Sequence, residues 1–228
     1  MPLPSEIDGI WSFLHKEVTW LHGRWRMYRQ LYGTSEARVD ALNRVAPTFF
    51  ATLQNVLVDE VQLTLSRLAD PARTGRRENL TLATLLETLE TLDVAFLTDE
   101  LRSKLEAYRE ACEAIIRRRN TRIAHYDRNT HVSAGEGPLD GPSRAEIETA
   151  LDRLRAFMRL VYQHFESSDM RYDLFVMHDD AESVLRTVSQ ALRYQELQES
   201  GQISDDDLMT SRIYQELSRT SPGSNPWT

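Results

Sequence analysis

Arginine side chains and a histidine are concentrated in one stretch of the chain, residues 117–128. Arg117, Arg118 and Arg119 follow one another, and His125 comes six residues after the last of them. An arginine can bind phosphate through a planar fork of N–H donors, and a histidine gains and loses a proton near neutral pH. The stretch therefore contains the residue types needed to bind an anion and to transfer a proton.

The same stretch ends a predicted helix that begins at Thr98. Apolar residues recur along that helix at gaps of four and three, which is the helical period. The same spacing continued past the last apolar position falls on Arg119 and Arg122. The apolar positions are Leu101, Leu105, Tyr108, Cys112 and Ile115. A charge on an inward face is costly unless it is paired or meets an anion. The alternative is that the cations complement the dipole of the helix C-terminus, with His125 and Tyr126 as packing residues.

Charge is distributed unevenly along the 228 residues, whose formal net charge is −8. That sign argues against a protein that coats nucleic acid non-specifically. It averages two opposite regions, because residues 101–130 carry +4 and residues 179–216 carry −6. A local basic site is therefore compatible with an acidic chain, and the acidic region is a candidate cover for it.

Cofactor and membrane signals are missing from the sequence. Cys112 is the only cysteine, which excludes an intrachain disulfide and a cysteine-based zinc site. His15 and His22 lie seven residues apart and are expected to pack rather than to bind a metal. Residues 1–6 lack the features of a signal peptide, and no run has the roughly 18 apolar residues of a membrane span. We expect a cytoplasmic protein without metal, cofactor or membrane partner.

Helical periodicity extends over most of the chain. The first helix is predicted over residues 7–32, ending at Gly33, and the second over 35–69, with a kink or a break between Ala46 and Pro47. The inward positions of the first helix are predicted to be Ile7, Trp11, Leu14, Val18, Leu21, Trp25, Tyr28 and Tyr32. A short helix is predicted over 81–91, after an exposed basic loop at 70–79. The inward positions of the second helix are predicted to be Leu42, Ala46, Phe49, Leu53, Val56, Leu57, Leu65 and Leu68.

Two more helices follow a loop predicted at 131–142. Ser143 and Glu146 form a capping-box pattern at the start of the first of them. The inward faces are predicted to be Ile147, Leu151, Leu154, Met158, Val161 and Phe165, and then Ala181, Val184, Leu185, Val188, Ala191 and Leu192.

No run of residues alternates with a period of two, so we predict an all-α fold. Long amphipathic helices with short connections are best buried as an antiparallel up-and-down four-helix bundle, here with an extra C-terminal helix. The predicted division is a bundle over 5–165, a C-terminal helix over 174–200 and an acidic, flexible tail over 201–228.

Arg119-Asn120-x-x-x-Ala124-His125-x-Asp127 resembles the R-x(4–6)-H motif of HEPN domains. The bare pattern also occurs by chance, as in Arg159 with His164 and in Arg171 with His178, which we expect to be ordinary helix and hinge residues. Three further segments occur in the order of the abortive-infection (AbiU-type) branch of the HEPN superfamily, over roughly residues 10–165. They are the aromatic-rich 20–32, SRLAD at 66–70 and LTLATLL at 80–86.

The resemblance implies metal-independent RNA cleavage in phage defence or in a toxin–antitoxin system. It implies His125 as general acid and base, Arg119 as the phosphate stabiliser and Asn120 as an orienting residue. Arg118, Arg122, Tyr126 and Arg128 are the candidate RNA-binding residues. The implied partners are RNA, a second copy in a homodimer, and an antitoxin or regulatory protein. The chain has Asp127 where some HEPN toxins carry a tyrosine that is modified, so that regulation is not expected here.

Helical geometry complicates this assignment. On a straight helix, residues 119 and 125 are about 240° apart. They converge only if the helix ends or distorts near Thr121, or if a second protomer supplies the partner group. Arg118 and Arg122 lie nearer the face of His125 and are alternative phosphate ligands. The alternative function is a non-catalytic HEPN-like bundle that binds a nucleotide or a protein.

Overall fold

The computed structural model describes residues 3–92, 95–120, 141–166, 169–174, 177–204 and 206–218. It confirms the all-α prediction. The helices are α1 (Ser5–Tyr32), α2 (Glu36–Val45), α3 (Pro47–Ala69), α4 (Leu82–Thr91), α5 (Ala95–Ala111), α6 (Glu113–Arg118), α7 (Arg144–Glu166), α8 (Ala181–Glu199), α9 (Asp206–Thr210) and α10 (Arg212–Ser218). Within these ranges no helix has the length and apolar character needed to cross a membrane.

One large core lies between α1, α3, α4, α5 and α7. It confirms most of the inward positions predicted for α1, all of those predicted for α7, and the apolar positions at the end of α5 and in α6. Tyr108 and Ile115 are fully buried in it. Helices α1 and α3 run antiparallel, because the Tyr32 hydroxyl at the end of α1 donates to the Phe50 carbonyl oxygen near the start of α3, while Arg24 pairs with Glu60 further along. The residues that lead to Arg119 are thus fixed by the core.

The predicted second helix is two helices with a break at Ala46. Ala46 has φ −155° and ψ 73°, and Pro47 starts α3. A residue before proline is disfavoured in the helical region, which explains the break. Because α3 begins anew there, Phe50 faces inward and Phe49 does not.

The prediction that Phe49 and Val56 face inward is therefore wrong. Phe49 is 62% exposed and Val56 is 58% exposed. The prediction counts gaps of four and three across the break, as if α2 and α3 were one helix. In the second half of the predicted face, only Leu65 and Leu68 are buried.

A second, smaller cluster of buried residues joins α8 to the rest of the molecule. It comprises Leu31, Leu42, Phe50, Ala181, Val188 and Leu192. Val184, predicted to face inward, is 43% exposed, because α8 packs mainly against α2 and the end of α1 and buries a narrow face. The extra helix is thus attached beside the larger core.

The structure differs from the predictions in the segment after α3 and at the start of α5. The basic segment after α3 contains a hairpin of two two-residue strands, β1 (Arg73–Thr74) and β2 (Arg77–Glu78), paired antiparallel. The strands are too short to give an alternating pattern, and the turn places Gly75 at φ +61°. Helix α5 begins at Ala95 and not at the predicted Thr98.

The capping box at the start of α7 is confirmed. The backbone N–H of Ser143 donates to the Glu146 carboxylate at 2.6 Å, and the backbone N–H of Glu146 donates to Ser143 Oγ at 3.2 Å. Gly141, three residues before α7, lies close to Arg118 of α6, since a Cβ added at Gly141 would be 2.8 Å from Arg118 Nη1. The start of α7 therefore lies beside α6. The loop predicted over 131–142 lies outside the described residues except for its last two positions.

Candidate functional site

The helix that carries the arginines is interrupted before it reaches them. Helix α5 ends at Ala111, Cys112 forms a turn, and α6 runs from Glu113 to Arg118. Arg119 and Asn120 then lie in a wider, π-helical turn. Such turns occur as local distortions of α-helices and are frequent at functional sites. A distortion was expected near Thr121 if Arg119 and His125 converge, and the π-helical turn comes directly before that position.

Arg119 is held by two acceptors. Its Nη1 donates to both carboxylate oxygens of Asp70, at 2.8 and 2.9 Å, and its Nε donates to Asn120 Oδ1 at 3.1 Å. The Arg119 side chain is only 18% exposed. Pairing with Asp70 offsets the cost of placing this cation at the edge of the core.

Arg118 points along α3 in the other direction. Its Nη2 donates to Asp59 Oδ1 at 2.9 Å, and its side chain is 21% exposed. Asp59 and Asp70 are eleven residues apart on α3 and at its C-terminal end, so adjacent arginines reach two separate carboxylates. Both arginines thus join the end of α6 to α3.

Asp70 is a functional candidate that the sequence analysis missed, and Asp59 is the structural partner of Arg118. Asp70 is the last residue of the SRLAD segment, which the resemblance had singled out without assigning a role to its carboxylate. A signal for it was therefore present in the sequence. Asp59 has no such signal.

Tyr108 and Arg109 hold α5 against the end of α3, next to Asp70. The fully buried hydroxyl of Tyr108 donates to the Leu65 carbonyl oxygen at 2.6 Å, and Arg109 Nε donates to the Ala69 carbonyl oxygen at 3.1 Å. Burial raises the pKa of the nearby Cys112 thiol to about 12. Cys112 is therefore protonated at neutral pH and is not a nucleophile.

The other predicted site residues are His125, Arg122, Tyr126 and Arg128. All four lie outside the described residues, so their predicted roles stay predictions. The structure places Arg118, Arg119 and Asn120 together at the end of α6 and adds Asp59 and Asp70 to them.

The chance matches to the motif are engaged in local contacts. Arg159 donates to both carboxylate oxygens of Asp169, at 2.7 and 2.8 Å, and His164 packs edge-on against Phe165. Arg171 forms a comparable pair with Asp173, whereas His178 is exposed. These contacts are those of ordinary helix and hinge residues.

His15 and His22 both pack against Tyr172. Nδ1 of His15 lies 2.8 Å from the Tyr172 hydroxyl, and Nδ1 of His22 lies 2.8 Å from the Val18 carbonyl oxygen. Arg155 Nη1 lies 3.2 Å from Nε2 of His22, so that nitrogen is the acceptor and the imidazole is neutral. Among the residues that the structure describes, no group of three or more His, Cys, Asp or Glu is arranged to hold a metal ion.

Comparison with known proteins gives one match. The family model HEPN_AbiU2, described as AbiU2, matches residues 4–184. The match extends past residue 165, where the resemblance seen in the sequence stopped, and reaches the start of α8. No curated protein and no solved structure matches the chain. Since the family model covers most of the chain, the protein belongs to the HEPN_AbiU2 family, an abortive-infection branch of the HEPN superfamily.

Proposed function

We propose that the protein is a metal-independent RNA endonuclease that acts in the cytoplasm in phage defence or as a toxin. The observation that carries this proposal is the anchored guanidinium of Arg119 at the end of α6, in a chain whose family match spans residues 4–184. Arg119 is the first residue of the R-x(4–6)-H pattern, and His125 is its last.

The proposed reaction is attack of a 2′-hydroxyl on the adjacent phosphate, with loss of the 5′-oxygen of the next nucleotide. His125 takes the proton from the 2′-hydroxyl or gives one to the leaving oxygen, which contributes about 10²–10⁴-fold to the rate. Arg119 donates hydrogen bonds to the phosphate oxygens as negative charge develops on them. The products are a 2′,3′-cyclic phosphate and a free 5′-hydroxyl.

The contacts of Arg119 support this assignment. Asp70 and Asn120 occupy Nη1 and Nε, and no described residue bonds to Nη2, so that edge of the guanidinium is proposed to bind a phosphate oxygen. Arg118, Arg122, Tyr126 and Arg128 are proposed to bind RNA on either side of the reacting phosphate.

We also propose that two copies pair, so that each supplies a motif to one cleft. Large apolar side chains are exposed on the outer faces of α1 and α3, which supports a contact surface there. They are Phe13 (41%), Trp20 (44%), Phe49 (62%) and Val56 (58%). An antitoxin or regulatory protein is the further proposed partner, since an unrestrained ribonuclease would damage the host's own RNA.

The test is cleavage of single-stranded RNA by the full-length protein in the presence of EDTA. Wild type is expected to release products with 2′,3′-cyclic phosphate ends, whereas His125→Ala and Arg119→Ala are expected to be at least 100-fold slower. Arg159→Ala and His164→Ala are the matched controls, because they alter the same residue types at a comparable spacing outside the proposed site.

Wild-type protein that leaves RNA intact would contradict the nuclease and favour a non-catalytic bundle that binds a nucleotide or protein. Equal loss of activity in the motif variants and in the controls would contradict the assignment of Arg119 and His125.

A further inference from the structure

Two of the three nitrogen atoms of the Arg119 guanidinium donate to neighbouring side chains, and the third is Nη2. Nη1 bonds to both oxygens of Asp70, and Nε bonds to Asn120. Among the described residues, no hydrogen bond from Nη2 is present. Because a guanidinium is planar, fixing Nη1 and Nε also fixes the direction in which Nη2 points.

Asp70 is itself rigidly held. It caps the C-terminus of α3, and its backbone N–H donates to the Arg67 carbonyl oxygen at 3.2 Å. The carbonyl of the preceding residue, Ala69, accepts a hydrogen bond from Arg109, which ties this point of the chain to α5. The backbone at Asp70 is therefore attached to two packed helices, as a residue that sets the direction of another side chain needs to be.

We infer that Asp70 is the positioning residue for Arg119, and that its carboxylate directs the Nη2 edge toward the RNA phosphate. This inference rests on the proposed function, since it takes the phosphate to be the ligand of Nη2. Asp70 itself acts only through Arg119. The effect of losing it is a misdirected donor, and a displacement of about 1 Å in such a group slows a reaction about 100-fold.

The first measurement is the steady-state kinetics of RNA cleavage by the full-length protein. Asp70→Asn keeps the shape of the side chain but removes the charge that holds Nη1. We expect kcat to fall 10- to 100-fold while KM changes less than threefold, because the misdirected guanidinium affects the transition state more than RNA binding.

Asp59→Asn is the matched control. Asp59 pairs with the adjacent Arg118 at a similar distance and with similar burial of the arginine, 21% exposed against 18% for Arg119. Because Arg118 is proposed to bind RNA and not to take part in the reaction, the effect of Asp59→Asn is expected in KM, and kcat is expected to stay within threefold of wild type. Asp70→Glu restores the carboxylate one methylene further out and is expected to recover part of the lost kcat. An equal loss in Asp59→Asn and Asp70→Asn would overturn the inference, since the pairs would then act only by holding α6 on α3.

A second measurement needs no cleavage. The Nε–Hε NMR signal of Arg119, assigned by its absence in Arg119→Lys, is expected to stand apart from the signals of the other arginines and to move among them in Asp70→Asn. An unchanged signal would overturn the positioning role.

The two readouts separate this inference from the proposed function. If Arg119→Ala abolishes cleavage but Asp70→Asn cleaves like wild type, the inference is wrong and the nuclease stands. If wild type cleaves no RNA, the proposed function is wrong, and the NMR signal alone decides whether Asp70 positions Arg119.

Discussion

Tyr108 of α5 donates its hydroxyl to the Leu65 carbonyl oxygen of α3 over 2.6 Å, within the fully buried core. Leu65 lies five residues before Asp70, so this hydrogen bond fixes the distance between α5 and the carboxylate that pairs with Arg119. The position of the site therefore depends on a contact deep in the bundle.

Tyr108→Phe removes that hydrogen bond with little change in shape. We expect the free energy of unfolding to fall by about 1 kcal/mol, the usual net contribution of a buried hydrogen bond. Urea denaturation followed by circular dichroism measures it. Tyr194→Phe is the control, because the Tyr194 hydroxyl bonds to Asp207 at the surface, and its effect is expected to stay below about 0.5 kcal/mol. Equal losses in the two variants would show that the Leu65 contact is unimportant.

The side-chain amide of Gln62 is buried with no hydrogen-bond partner among the described residues. It is fully buried in α3, and within the described part of the chain neither its Nε2 nor its Oε1 has a partner. An unsatisfied buried amide costs about 1–3 kcal/mol, so Gln62→Leu is expected to raise the free energy of unfolding by about 1 kcal/mol or more.

Gln30→Leu is the matched control for this prediction, because Gln30 is also buried but donates to Asp180 at 2.7 Å. It is expected to lower stability by about 1 kcal/mol. Thermal or urea denaturation compares the two. A loss of stability in Gln62→Leu would mean that its amide has a partner that the leucine cannot replace.

His22 makes stability depend on pH. Burial lowers its pKa to about 4, and the nearby Arg155 adds to the effect, whereas an exposed histidine titrates near 6.5. Since the unfolded chain binds the proton more tightly, the stability contributed by neutral His22 is full above pH 6.5 and is lost as the pH falls toward 4. The change is of the order of 3 kcal/mol.

The measurement is the free energy of unfolding between pH 7.5 and 4 for wild type and His22→Gln. The variant is expected to show a shallower decline, with a residual slope in the same direction from His15, whose pKa is also lowered by burial. His178→Gln, at an exposed position, should keep the wild-type slope. A slope unchanged in His22→Gln would contradict the prediction.

The proposed dimer surface can be tested with two adjacent residues. Phe49 is 62% exposed and Phe50 is 6% exposed. Phe49→Ser is expected to shift light scattering from dimer to monomer with a change in monomer stability of less than about 0.5 kcal/mol. Phe50→Ser is expected to destabilise the fold by about 3 kcal/mol or more through the cavity it leaves. A dimer that survives Phe49→Ser places the interface elsewhere.

The fold class follows from local patterns that the structure confirms. Apolar gaps of four and three predict the buried faces of α1 and α7, the capping box predicts the start of α7, and Pro47 predicts a break. These signals depend only on residues within one or two helical turns, and so a single sequence is sufficient to detect them.

The same helical spacing predicts wrong positions after the break between α2 and α3. A spacing of four and three counted across Ala46 predicts Phe49 and Val56 in the core, whereas both are exposed. Within α3 itself the buried and partly buried positions keep the helical spacing, so a count that starts at Pro47 gives the correct face. They are Phe50, Leu53, Leu57, Val61, Leu65 and Leu68.

For the candidate site, the sequence by itself determined that arginines follow the last apolar position on the buried face of a helix. It also determined that Arg119, Asn120 and His125 follow a family pattern. Only the tertiary structure decided how the charge of Arg119 is balanced. Its partner, Asp70, is 49 residues away in sequence and reaches it because α5 and α6 pack against α3. Ion pairs of this kind are set by the approach of two helices in space, whereas sequence periodicity reports only which face of each helix is buried.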